Sequence, residues 1–157
     1  MRRAFFAKAT AALAAIGLGA RAVAQTAPAP AARPAAGKSG GIKVVYQLSE
    51  GTDQAVRAIG NLRNHLAGAP GTKIVVVALG YGVDFLVEGA RDARGNTFDA
   101  AVGALSGMGV EFRVCRNTLS ARQISESKLL LETKVVQAGV VEIARLQSEE
   151  GYAYIKP

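Results

Sequence analysis

The chain has 157 residues, with 19 Lys and Arg against 12 Asp and Glu, one His and one Cys, for a formal charge of +7. One cysteine excludes an intramolecular disulfide and a Cys-x-x-Cys redox pair, and one His beside it argues against a single-chain zinc site. Four of the 19 cations (Arg2, Arg3, Lys8, Arg21) lie in the first 24 residues, which hold no acid, so the remainder carries 15 against 12, or +3, and nucleic-acid binding loses its main support.

Those first residues read as an export signal. A short basic region precedes an uncharged stretch from Ala9 to Ala20, and Ala22-Val23-Ala24 supplies an A-x-A site, which places cleavage before Gln25. The opening MRRAFFAK, with paired arginines and Phe5, resembles a twin-arginine signal; an ordinary secretory signal that starts Met-Arg-Arg is the alternative. Either route implies a periplasmic protein, and the segment is too short and weakly apolar for a lasting membrane span. Residues 25–41, QTAPAPAARPAAGKSGG, contain no large apolar side chain and read as a flexible linker. The expected folded domain is therefore 42–157.

Within it, IKVVYQL (42–48) is a β-branched apolar run that predicts a buried strand. Thr52 or Asp53 offers a helix cap, and Val56, Ile59, Leu62 and Leu66 follow at helical spacing until Gly68 and Pro70. His65 falls on the polar side and reads as a surface residue. TKIVVVALG (72–80) predicts a second strand, YGVDFLVEG a loop with a short helical turn, and RDARGN a solvated loop. TFDAAVGALSGMG (97–109) predicts a helix, VEFRVC a third strand, Ser120 to Leu131 mixed helix and loop, TKVV (133–136) a short strand, AGVVEIARLQSEEG a helix, and YAYIKP a last strand. Strands alternating with helices predict an α/β fold: three α/β/α layers around a mainly parallel sheet of about five strands.

Ligands of open parallel sheets sit beyond the carboxyl ends of the strands. Three segments should meet there: Ser49-Glu50-Gly51, Gly80-Tyr81-Gly82 and Cys115-Arg116-Asn117-Thr118. Along the third strand, Glu111, Arg113 and Cys115 share one face, which is too polar to be dry core and implies an edge, a contact or a polar pocket. Arg113 and Arg116 flank Cys115, and cationic neighbours with turn N–H groups can lower a thiol pKa from about 8.5 to roughly 3.5–7.5. The same residue can equally be inert packing at a strand end. Gly80, Tyr81 and Gly82 either cradle an anion through backbone N–H groups or simply form a tight turn. Glu111 opposite Arg113 reads as an ion pair or as acid/base machinery. Tyr152 and Tyr154 suggest a packed face or an oligomer contact.

KVVYQLSEG, NLRNHL, IVVVALGYGVDFL, GVEFRVCRNTL and AGVVEIARLQSEEGYAYIKP together resemble the DsrE/DsrF-like family, its small single-domain branch in particular, across 42–157. The resemblance implies a homo-oligomer, trimeric or hexameric. It also implies that Cys115 matches the cysteine that carries sulfane sulfur as a persulfide in relay members, which hand it between donor and acceptor proteins. Those members are cytoplasmic, so an exported chain departs from the pattern and their partners do not transfer.

Two functions follow as expectations. One is a periplasmic sulfur carrier in which Cys115 is the nucleophile, Arg113 and Arg116 stabilise the thiolate, and Asn117 hydrogen-bonds the sulfur or its cargo; it needs neither metal nor organic cofactor. The other is a non-catalytic oligomeric module that binds a small anion or a partner protein at Gly51, Gly80, Tyr81, Gly82 and Thr118, with Cys115 structural.

Overall fold

A computed structural model describes residues 41–157. The export signal (1–24) and residues 25–40 of the linker lie outside the described residues. Five strands, β1 (Lys43–Leu48), β2 (Lys73–Ala78), β3 (Glu111–Cys115), β4 (Thr133–Val136) and β5 (Ala153–Ile155), form one sheet in the order β4-β3-β2-β1-β5. Every pairing is parallel. The helices are α1 (Thr52–Gly68), α2 (Asp99–Gly107), α3 (Arg116–Ala121) and α4 (Gly139–Ser148), with 3-10 turns at Gly80–Leu86 and Glu126–Lys128. No helix among the described residues is long and apolar enough to cross a membrane.

The connections explain the layers. From β1 to β4 the chain steps outward in one direction, and right-handed crossovers place the connecting helices on one face. There Val44, Tyr46, Leu48, Ile74, Val76, Phe112 and Val114 pack against α1, α2 and the 80–86 turn. Phe85 lies edge-to-face on Phe98 and Phe112, with ring centroids 5.8 and 6.2 Å apart, pairs worth about 0.5–1.5 kcal/mol each beyond their burial. The return from β4 to β5 runs the opposite way, so among the described residues α4 alone covers the second face. Its Ile143 and Leu146 bury Val45, Val75 and Val77.

Helix α1 corrects the apolar stripe read from the sequence. It buries Gln54, Ala55, Ala58, Ile59 and Leu62, whereas Val56 is exposed. The alanines let the helix axis approach the sheet, so the buried arc is centred on small residues rather than on the largest ones. Its N-cap is Gly51, with no side-chain cap bond from Thr52 or Asp53. His65 is also not simply solvated, since its Nδ1 lies 3.0 Å from the hydroxyl of buried Tyr46. Tyr152 packs under α4, while Tyr154 stays partly exposed and donates to Gln47 at 2.7 Å.

Gln54 is a buried polar knot. Its Oε1 accepts from the N–H groups of Ser49 (2.7 Å) and Glu50 (2.9 Å), and its Nε2 donates to the Pro157 carbonyl at 3.3 Å. The end of β1 and the segment after β5 are thereby held to the first turn of α1.

Gly82 is required by close approach, because a Cβ there would overlap the backbone carbonyl of Leu48 and crowd the Ser49 nitrogen. Neither neighbour is a flexible side chain that could swing away. Gly82→Ala should therefore lower the urea midpoint by an amount equivalent to at least about 3 kcal/mol, at the upper end of overpacking costs. A midpoint within error of wild type would show that the two segments can separate freely.

Candidate functional site

The carboxyl ends of β1, β2, β3 and β4 meet around Cys115. Gly82 abuts the Leu48–Ser49 backbone, which joins the first two ends. The Gly80 N–H donates to Thr118 Oγ1 at 3.0 Å, which joins the second to the third. The Asn117 N–H donates to the Gln137 carbonyl at 3.3 Å, and Gln137 Nε2 donates to Asn117 Oδ1 at 3.4 Å, which brings in the fourth.

Helix α3 begins immediately after Cys115, which is itself the helix cap, earlier than the polar turn expected at Asn117-Thr118. Above it lies the start of α4. A Cβ on Gly139 would sit 3.2 Å from Cys115 Cβ and 3.3 Å from Leu79 Cβ, so only glycine lets the first turn come this close without displacement. Cys115 as a whole is 6% exposed.

Burial raises the pKa of this thiol, but the polar groups around it (the Gly139 N–H, the Thr118 hydroxyl, and the Thr118 and Asn117 N–H groups) outweigh burial and the net direction is downward, although Cys115 makes no side-chain cap bond to α3. The Gly139 donor is one of the first N–H groups of a ten-residue helix, which have no partner within the helix and carry its positive end. Thr118 sits between the two strand ends: its oxygen accepts from the Gly80 N–H, and its hydroxyl is among the groups that lower the Cys115 pKa.

The arginines do other work than the sequence suggested. Arg113 bonds Glu142 and, at 2.9 Å, Glu111; Arg116 bonds Glu126 at 2.5 Å. Neither is among the causes that lower the Cys115 pKa. Their charges are balanced by carboxylates. Asn117 meets Gln137 through both its backbone N–H and its side chain rather than presenting its side chain to the sulfur.

The glycine loop is corrected too. The Gly80 N–H is used by Thr118 and the Gly82 N–H by the Leu79 carbonyl at 3.0 Å, so these two groups do not face an incoming anion. Gly51, with φ of +85°, starts α1 beside the Gln54 knot rather than beside Cys115. Tyr81 is 68% exposed at the rim. Arg122 lies 4.8 Å from its ring centroid, donates to the Gly80 carbonyl at 3.0 Å and pairs with Asp84 at 2.6 Å.

Sequence reasoning missed Gly139, Arg122 and Gln137. Only Gly139 left a usable signal, as a glycine opening a helix whose crossover must return over the sheet. Among the described residues, no group of three or more His, Cys, Asp or Glu could hold a metal ion.

A family model described as the DsrE/DsrF-like family matches residues 43–157. The chain belongs to the DsrE/DsrF-like family. A solved structure of a protein of unknown function, MTH1491 from Methanobacterium thermoautotrophicum, is similar to it at 37% identity and a TM-score of 0.65, covering 74% of this chain and 99% of that one. No functionally curated protein matches. The five-stranded parallel sheet with its helices is thus a DsrE-like α/β fold, as the sequence predicts.

Two outcomes follow from the geometry. The rate of Cys115 alkylation against pH should give an apparent pKa below the ordinary thiol value of about 8.5; Thr118→Val should raise it and Thr118→Ser should restore it. A Thr118→Val protein titrating like wild type would remove the hydroxyl from the site. Separately, hydrogen bonds from Arg113 to Glu111, and from Arg145 and Arg113 to Glu142, hold both carboxyls below their usual range. Their contribution to stability is complete above the unfolded carboxylate pKa and is lost as pH falls through the lowered folded values. Glu142→Gln should therefore flatten the loss of urea stability below about pH 4.3, the ordinary Glu value; an acid limb as steep as wild type would contradict the linkage.

Proposed function

We propose that this DsrE/DsrF-like protein is an exported, periplasmic sulfane-sulfur carrier whose nucleophile is Cys115. The observation that carries the reading is the placement of Cys115 at the carboxyl end of a parallel sheet, between the start of α3 and the start of α4, whose Gly139 packs directly on it. Gly139, Thr118 and Asn117 all stabilise the anionic form, and the thiolate is the nucleophile. A lone cysteine (the only one in the chain) suits carriage rather than disulfide exchange.

The step balances without metal, oxidant or organic cofactor. The Cys115 thiolate attacks the outer sulfur of a persulfide or polysulfide donor. The donor's S–S bond breaks, its electron pair leaves with the donor as a thiolate, and Cys115 holds one added sulfur as Cys–S–SH. An acceptor thiolate then attacks that outer sulfur and releases Cys115 as a thiolate. The same N–H groups and hydroxyl that meet Sγ in the resting state meet the leaving thiolate in the second step. Donor and acceptor proteins, and assembly as a trimer or hexamer, belong to this proposal.

One observation favours the other reading, a non-catalytic oligomeric binding module: at 6% exposure Cys115 is as covered as a packing residue. The first experiment decides between them. The mass of the full chain after incubation with polysulfide should increase by about 32 Da, the mass of one sulfur atom, reversibly under a reductant and not in Cys115→Ser. No adduct, together with a thiol that resists alkylation in the native protein, would make Cys115 packing and leave the binding module.

A further inference from the structure

The second face of the sheet carries a charged network that the sulfur chemistry described so far does not use. Arg113 stands on β3 two residues before Cys115 and on the same face. Its guanidinium joins Glu142 of α4 and Glu111 of β3, and its side chain is only 16% exposed, that of Glu142 13%. Around them, Lys134 of β4 lies 3.4 Å from Glu111, and Arg145 of α4 lies 2.9 Å from Glu142 and 2.6 Å from Glu150. Glu142 is the fourth residue of α4 and Gly139 the first. The helix turn that Arg113 holds is therefore the turn that packs on Cys115.

We propose that Arg113 and Glu142 are positioning residues: their ion pair clamps the first turn of α4 to β3 and so keeps the start of that helix, with its unpaired N–H groups, against Cys115. The need for a clamp follows from the contacts. Gly139 has no side chain to anchor it, and Val140 and Val141 behind it are exposed. The first apolar anchor of α4 is Ile143, a turn further on. Between Gly139 and Ile143 the helix is held to the sheet by Glu142. This role rests on the reading of Cys115 as the working nucleophile, but the clamp itself acts on the thiol whether or not sulfur is carried.

The clamp and a direct electrostatic effect predict opposite signs. Glu142 is an anion on the same face as the thiol, so removing its charge alone favours the thiolate and lowers the pKa. Releasing the turn withdraws a donor and raises it. The experiment is the pH profile of Cys115 alkylation in the full chain, for wild type, Glu142→Ala and Glu142→Gln, with folding checked by circular dichroism. Glu142→Ala should raise the apparent thiol pKa by about one unit, roughly a tenfold change in thiolate population. Glu142→Gln keeps an oxygen that accepts from Arg113 and should show less than half that shift. A pKa that falls or stays unchanged in Glu142→Ala, or equal shifts in both variants, overturns the clamp. If Glu142→Ala does not fold, Arg113→Lys decides instead, because it keeps the charge and loses the two-armed grip; a rise supports the clamp and an unchanged pKa rejects it. Polysulfide labelling in parallel separates the two readings. A wild type that takes up no sulfur while the variants shift as stated loses the carrier function and keeps the clamp. Uptake with no shift does the reverse.

Discussion

The order of the strands forces one connection to do what several helices usually share. Because β4 and β5 lie at opposite edges, α4 has to cross the whole sheet, and among the described residues it is the single helix on that face. One helix about 15 Å long cannot cover five strands. The covered strip is apolar, with Val45, Val75 and Val77 beneath Ile143 and Leu146. To one side the face is charged, with Glu111, Arg113 and Lys134, and to the other it is polar, with Gln47 and Tyr154. The same crossing brings the start of α4 over the end of β3. The polar flank and the contact with Cys115 thus have one cause.

That cause also accounts for the balance at the sulfur. A thiol enclosed by apolar groups is pushed toward its neutral form, since burial penalises charge. Here the enclosing atoms include the open ends of two helices and a hydroxyl already oriented by Gly80. Burial then works in the opposite sense for reactivity, because fixed dipoles act more strongly where water is absent. Their orientation is set by the backbone, so there is little reorganisation cost when charge develops on sulfur. Arginine side chains in the same place would need their own carboxylates displaced first.

Much of this architecture was legible in the chain. Short apolar runs marked all five strands, and their alternation with helical segments pointed to parallel pairing, since a crossover helix leaves no other economical connection. The alternation of Glu111, Arg113 and Cys115 identified a polar second face before its cause was visible. Other features were illegible for specific reasons. The burial of Ala55, Ala58 and Gln54 in place of Val56 depends on how closely α1 approaches the sheet, which periodicity does not encode. Sequence adjacency made Arg113 and Arg116 look like partners of Cys115. Yet Arg116 points to Glu126, and Arg113 reaches a helix 29 residues away. Gly139 is 24 positions from Cys115, and nothing local links them.

The position of Arg113 shows how a charged residue can matter to a thiol without touching it. A surface ion pair contributes little, but breaking one that is mostly covered leaves a charge stranded away from water. Arg113 and Glu142 are covered enough for that cost to hold two elements together. The two elements are the strand that carries Cys115 and the helix that supplies Gly139. Polar residues on the second face therefore do more than tolerate incomplete cover. A purely apolar contact at this point would let α4 slide along the sheet with little penalty, because dispersion and burial are non-directional. A directional ion pair, with one guanidinium nitrogen on Glu142 and the other on Glu111 of the same strand, ties the helix end to the strand, and the packing of Gly139 on Cys115 depends on that tie.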